Sequence, residues 1–129
     1  MNVTAPLNGK RLLVVEDEAM IALMIEDMLD RFGCVVVDVA STLLQGLAIA
    51  ANEKVQLDGA ILDINLGGEQ VYPVAERLRQ RGVPFIFSTG YGRAGLLERF
   101  AQTPTLAKPY QPEDLEDMLI SVLLHAKAH

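Results

Sequence analysis

Four apolar runs in this chain each end on groups able to do chemistry. Residues 12–15 lead into Glu16-Asp17, with Glu18 next, and residues 56–62 lead into Asp63. Residues 83–87 lead into Ser88-Thr89, and residues 105–107 into Lys108-Pro109. Carboxylates, hydroxyls and one ammonium at successive run ends can share a cleft. Two carboxylates about 5 Å apart, at an effective dielectric of about 20, repel by roughly 3 kcal/mol. Glu16, Asp17 and Asp63 together would cost several such terms, more than Lys108 alone offsets. Either some of these acids are protonated or a divalent cation sits among them. Hard oxygen ligands with retained waters suit Mg²⁺. Such a cation would screen an incoming phosphoryl group from the carboxylate that attacks it.

The elements that must position these groups follow from periodicity. Five apolar runs, at 12–15, 34–39, 56–62, 83–87 and 105–107, punctuate the chain. The first, third and fourth are almost continuously apolar, which suits strands covered on both faces of a parallel sheet. Between them the spacing turns helical. Ile21, Ile25, Met28, Leu29 and Phe32 share one face of a first helix, and Gly33 stops it. Ser41 can cap a second helix carrying Leu43, Leu44, Leu47 and Ala48, and Val71, Val74, Ala75 and Leu78 mark a third. The last helix starts after Pro112 with Glu113 and Asp114 in its first turn, and Leu115, Met118, Leu119, Val122 and Leu123 facing in. The fourth interval holds Gly90, Gly92 and Gly95 ahead of Leu96, Leu97 and Phe100, so its helix should be short and weakly held. Strand and helix thus alternate five times. The expected fold is α/β: a three-layer, doubly wound, five-stranded parallel sheet. In such sheets ligands bind beyond the carboxyl ends of the strands, where the four polar run ends lie.

Bulk properties narrow the function. At 129 residues, half of them hydrophobic, the chain fits one folded domain, with residues 1–9 as an N-terminal extension and no separate output domain. A net charge of −6 and the absence of Trp disfavour nucleic acid, whose binding leans on phosphate contacts and base stacking. No apolar run is long enough for a membrane span, and the N-terminus lacks the pattern of a signal peptide. Cys34, in an apolar run, reads as a buried structural thiol, and His125 and His129 as solvated tail residues. The expectation is a cytoplasmic monomer.

Together, VVEDE, AILD, FSTG and LAKP resemble, in order and spacing, the receiver domain of bacterial two-component response regulators across essentially the whole chain. PFIFSTGYG also resembles the PFxFATG signature of the FAT GUY subgroup, with Ser88 where alanine is usual. The resemblance implies a phosphorylatable switch rather than a turnover enzyme. It makes Asp63 the phosphoacceptor, with Thr89 and Lys108 binding phosphoryl oxygens after transfer. Glu16, Asp17, Asp63 and the main-chain carbonyl of Asn65 become the Mg²⁺ site, and Lys108-Pro109 a cis peptide. The implied partners are a sensor histidine kinase or histidine phosphotransfer protein and a downstream protein target. A target would dock near Arg93, Glu98 and Arg99. A phosphate sink or relay shuttle is the alternative within the family.

The chain also departs from the family pattern. Asn65-Leu66-Gly67-Gly68 replaces a Met-Pro type turn, so that loop should be looser. Thr105 stands where many receivers carry an aromatic switch residue, leaving Tyr91 as the candidate substitute. The stretch from Gly90 to Pro104, with few apolar anchors, is the expected moving part. Two rivals share the architecture. A haloacid-dehalogenase-type phosphatase needs a second aspartate where Asn65 stands. A flavodoxin-like FMN carrier needs a phosphate loop where Glu16-Asp17-Glu18 would repel the ligand.

Overall fold

A strand covered on both faces has no solvent side to reserve for polar residues, and the first, third and fourth apolar runs form strands of that kind. The computed structural model describes residues 5–90 and 96–125. In chain order the strands are β1 (Arg11–Val15), β2 (Val35–Ala40), β3 (Gly59–Asp63), a two-strand hairpin of β4 (Asn65–Leu66) and β5 (Glu69–Gln70), β6 (Phe85–Thr89) and β7 (Thr105–Ala107). Apart from the hairpin they build one parallel sheet, in the order β2-β1-β3-β6-β7. The order reverses at β1, which opens a crevice at the carboxyl ends of β1 and β3.

Among the described residues four α-helices flank the sheet: α1 (Ala19–Arg31), α2 (Leu43–Ala51), α3 (Tyr72–Gln80) and α4 (Pro112–Ile120), the last continuing as a π-helical turn over Ser121–His125. On one face, Ile25 and Leu29 of α1 and Leu115 and Leu119 of α4 pack on Leu12, Val14, Ile61 and Ile86. On the other, α2 and α3 cover Leu13, Val15, Leu62 and Phe87. Gly46, costly inside a helix, earns its place by packing: a Cβ there would lie 3.2 Å from Val74 and 3.5 Å from Val15. Residues 5–9 are more than an extension. Leu7 is buried in the α1/α4 layer, and Gly9 N–H donates to Gly33 O at 2.8 Å. No helix among the described residues is long and apolar enough to cross a membrane.

Two expected details shift. The cap of α2 is Thr42, whose hydroxyl accepts from Gln45 N–H at 3.1 Å, whereas Ser41 Oγ meets the Gln45 side chain. The interval between β6 and β7 holds, among the described residues, only a 3₁₀ turn over Glu98–Phe100 rather than an α-helix. Residues 96–104 nonetheless carry more anchoring than their glycine-rich approach suggested. Phe100 is fully buried, stacked on Tyr72 at 5.2 Å and edge-on to Phe87 at 5.6 Å. Its ring also lies 4.4 Å from the Arg79 guanidinium. Leu97 N–H donates to the Tyr72 hydroxyl at 3.3 Å. Tyr91 and Arg93, singled out above, lie outside the described residues.

Phe100 is therefore the peg of this interval. Phe100→Ala should cost about 3–5 kcal/mol in urea unfolding, the usual range for a fully buried phenylalanine. A loss below about 1 kcal/mol would show that the ring anchors nothing.

Candidate functional site

Strand alternation decides which polar tips meet. Leu12 and Val14 of β1, Ile61 of β3 and Ile86 of β6 all face the α1/α4 layer, and Leu106 of β7 packs against it. Two residues further along each strand the same face carries Glu16, Asp63, Ser88 and Lys108. Asp63 and Ser88 are in-register partners, and Ser88 pairs in turn with Leu106. Glu16, Asp63 and Ser88 thus form a buried polar row directly above apolar side chains. Lys108, one step higher, reaches back over it.

The ammonium of Lys108 lies 3.0 Å from Oε1 of Glu16, 3.3 Å from Oδ2 of Asp63 and 3.9 Å from Oε1 of Glu18. Its backbone N–H donates to Thr89 O at 2.8 Å, tying the ends of β6 and β7 together, and the Lys108-Pro109 peptide is cis. The Glu16 contact is a charge contact whose alignment falls short of a hydrogen bond. Burial alone would lower the pKa of this lysine, but Glu16 and Asp63 more than reverse that and hold it above its ordinary value. Asp63 behaves in the opposite way. Burial first, then the nearby Glu16 carboxylate, push it from 3.8 up to about 7, with Lys108 pulling against them. Hydrogen bonding with Glu16 and Asp17 also favours its protonated form.

The remaining predicted residues line the same opening. A cleft of about 360 Å³ is walled by Asp17, Asp63, Asn65, Thr89 and Lys108, together with Glu18, Gly67 and Gly90. Asn65 N–H reaches Asp63 Oδ1 at 3.4 Å, and the Asn65 side chain accepts from Gly68 N–H at 3.0 Å. Gly67 and Gly68 both have positive φ, at 61° and 98°. The loop expected to be loose is therefore a hairpin turn that such backbone angles permit. Glu18 was missed as a site residue although it directly follows the acidic pair. It occupies the N-cap position of α1 without a side-chain cap bond, while Glu16 accepts from its N–H at 3.2 Å.

This donor set fits a hard divalent cation. Oxygens of Glu16, Asp17 and Glu18 lie within 4.8 Å of one another, and Asp63 faces the same opening. Size alone would misplace the site, since a larger concavity of about 600 Å³ lies at the amino ends of β6 and β7, with no carboxylate in its wall.

A family model described as the response regulator receiver domain matches residues 12–120. The phyllosphere-induced regulator PhyR of Methylorubrum extorquens is 34% identical over 116 residues, covering 87% of this chain and 43% of that protein. The chain thus spans less than half the length of this curated relative. The solution structure of SdrG from Sphingomonas melonis Fr1 is 39% identical with a TM-score of 0.78, covering 90% of this chain and 97% of that one. The receiver domain of a sensor histidine kinase from Pseudomonas aeruginosa, solved with a magnesium ion coordinated in its active-site cleft, shares the fold at a TM-score of 0.71. It is 24% identical and covers 89% of this chain and 98% of that one.

The raised pKa of Asp63 makes a stability prediction. The folded protein holds this proton up to about pH 7, whereas the ordinary value is 3.8. Stability from the neutral acid is present below that ordinary value and is lost as pH rises toward 7. Without divalent cations, Asp63→Asn should therefore be more stable than wild type above pH 7, with the gap closing by about pH 4. Paired denaturation curves across that window measure it. A gap that is flat with pH would mean that Asp63 titrates normally.

Proposed function

The chain belongs to the response regulator receiver domain family, and on that premise we propose that Asp63 is its phosphoacceptor. A carboxylate oxygen of Asp63 attacks the phosphorus of a phosphohistidine. The P–N bond breaks, its electron pair returns to the imidazole of the donor, and an acyl phosphate remains on Asp63. The observation that carries this reading is the environment of one side chain. Asp63 is buried, charge-paired with Lys108 at 3.3 Å, and opens onto a cleft that Asp17, Asn65 and Thr89 also line.

Each neighbour has a role that its chemistry supports. Lys108, kept protonated by the two acids beside it, can turn from Glu16 and Asp63 to a phosphoryl oxygen. The Thr89 hydroxyl, at the end of β6, can donate to a second such oxygen. Glu16, Asp17, Asp63 and the main chain at Asn65 would hold Mg²⁺, with Glu18 as an additional acid at the mouth. Bound there, the ion supplies charge neutralisation between the carboxylates and the phosphoryl group. Transfer then alters which protein surfaces the domain presents, and the output is a changed protein–protein contact.

The partner reading rests on α1. Met20, Leu23 and Met24 are 73%, 61% and 51% exposed, at spacings that place them on one helix face. They begin two residues after Glu18, at the rim of the cleft. A protein presenting a phosphohistidine to Asp63 must rest on that rim, and an apolar surface on a kinase or phosphotransfer protein would cover the strip.

Incubation with Mg²⁺ and acetyl phosphate, read by intact mass, should add one phosphoryl group to wild type and none to Asp63→Asn. Leu23→Lys should label normally from acetyl phosphate but about tenfold more slowly from a phosphohistidine transfer protein. Labelling of Asp63→Asn, or continuous turnover of the small donor without a labelled protein, would overturn the reading.

A further inference from the structure

Two buried hydroxyls beside the acid row have no part in the scheme above. Ser88 is the in-register neighbour of Asp63 on the same side of the sheet, and its Oγ is buried with no hydrogen-bond partner. Tyr110, two residues beyond Lys108, packs its ring on the α1/α4 core, and its hydroxyl oxygen is also buried without a partner. The two groups are close. Burial raises the phenol above its ordinary pKa, and the approach of Ser88 works against that rise, as does the charge on Lys108. Their alignment still does not close into a hydrogen bond. Glu16 Oε1 completes the set: it too is buried without a hydrogen bond, with Lys108 as its charge contact at 3.0 Å.

A buried hydroxyl without a partner carries a desolvation cost that only a new bond relieves. Two of them, one on the strand beside Asp63 and one two residues beyond Lys108, make the state seen here one of unused hydrogen-bonding capacity. If Lys108 turns to a phosphoryl oxygen, the carboxylates it leaves need a donor. Ser88, in register with Asp63, and Tyr110, which Ser88 approaches, each have a hydroxyl proton to give.

We infer that Ser88 and Tyr110 are positioning residues, whose hydroxyls complete their hydrogen bonds when Lys108 leaves the carboxylates for a phosphoryl oxygen. Tyr110 donates to Ser88, and Ser88 donates to the acid row. Neither attacks or receives the phosphoryl group, and the inference rests on the reading of Asp63 as phosphoacceptor. It also supplies a route outward. Tyr110 runs directly into Gln111 and the first turn of α4, so a shift of its ring reaches the helix without the aromatic residue that position 105 lacks.

The test uses beryllofluoride with Mg²⁺ as a stand-in for the phosphoryl group, on wild type, Ser88→Ala, Tyr110→Phe and the double variant. Each single variant should bind beryllofluoride about 5–10-fold more weakly, the worth of one net hydrogen bond. The double variant should lose no more than either single, because the hydroxyls act in series. Without ligand, the thermal midpoints should equal or exceed that of wild type, since a partnerless buried hydroxyl has been removed. A purely packing role predicts lowered midpoints. The inference is overturned by affinities within twofold of wild type or tighter, by additive losses, or by weakening that only tracks lowered stability. Wild type failing to bind beryllofluoride would instead sink the phosphoacceptor reading itself.

Discussion

The ammonium of Lys108 stands 3.0 Å from one buried carboxylate and 3.3 Å from another, and those carboxylates belong to different strands. Without it, Glu16 and Asp63 would be two like charges held at the ends of adjacent strands with little water between them. Even with it, one positive charge does not neutralise the cluster, since Asp17 and Glu18 add to the same mouth. Burial first, and then the charge of Glu16 that Lys108 leaves unneutralised, show in Asp63, whose proton is held up to about pH 7. A site in that condition has a standing demand for positive charge. A divalent cation meets it, whereas phosphorylation of Asp63, which puts a phosphate dianion in place of a carboxylate, increases it.

The fold makes this arrangement unavoidable once the strands are in register. Parallel strands bring all their carboxyl ends to one edge, and alternation puts every second residue on one face. Above the buried layer of Val14, Ile61 and Ile86, the next residues on that face are Glu16, Asp63 and Ser88. Apolar packing beneath holds the polar row still, which is the preorganisation that charge chemistry needs. The other face, built on Phe87, Phe100 and Tyr72, contributes the backbone of Thr89 and the anchoring of the segment that follows it.

Much of this was legible in the sequence because it depends on short-range pattern. Apolar runs revealed the strands, and the polar residues ending four of them are the groups that meet at the cleft. Glu16, Asp17, Asp63, Asn65, Thr89 and Lys108 do gather around the switch point in strand order. What was not legible depends on distant contacts. Nothing local marks Phe100 as a fully buried peg, since its partners Tyr72 and Phe87 lie 28 and 13 positions away. Glycine content argued for a loose loop at Gly67-Gly68, but a tight hairpin turn needs the same residues. Ser88 stood inside a quoted motif, but nothing local ties it to Tyr110, and only their shared burial makes them a pair.

The claim underlying the whole account is that the acid cluster is short of positive charge and that Asp63 bears the deficit. A carboxyl-carbon NMR titration of Asp63, with and without Mg²⁺, tests it directly. The account predicts a midpoint near pH 7 in the metal-free protein, from the value of about 7 that burial and Glu16 impose, and a clear fall when Mg²⁺ is added. A metal-free midpoint near 3.8, unchanged by Mg²⁺, would contradict it.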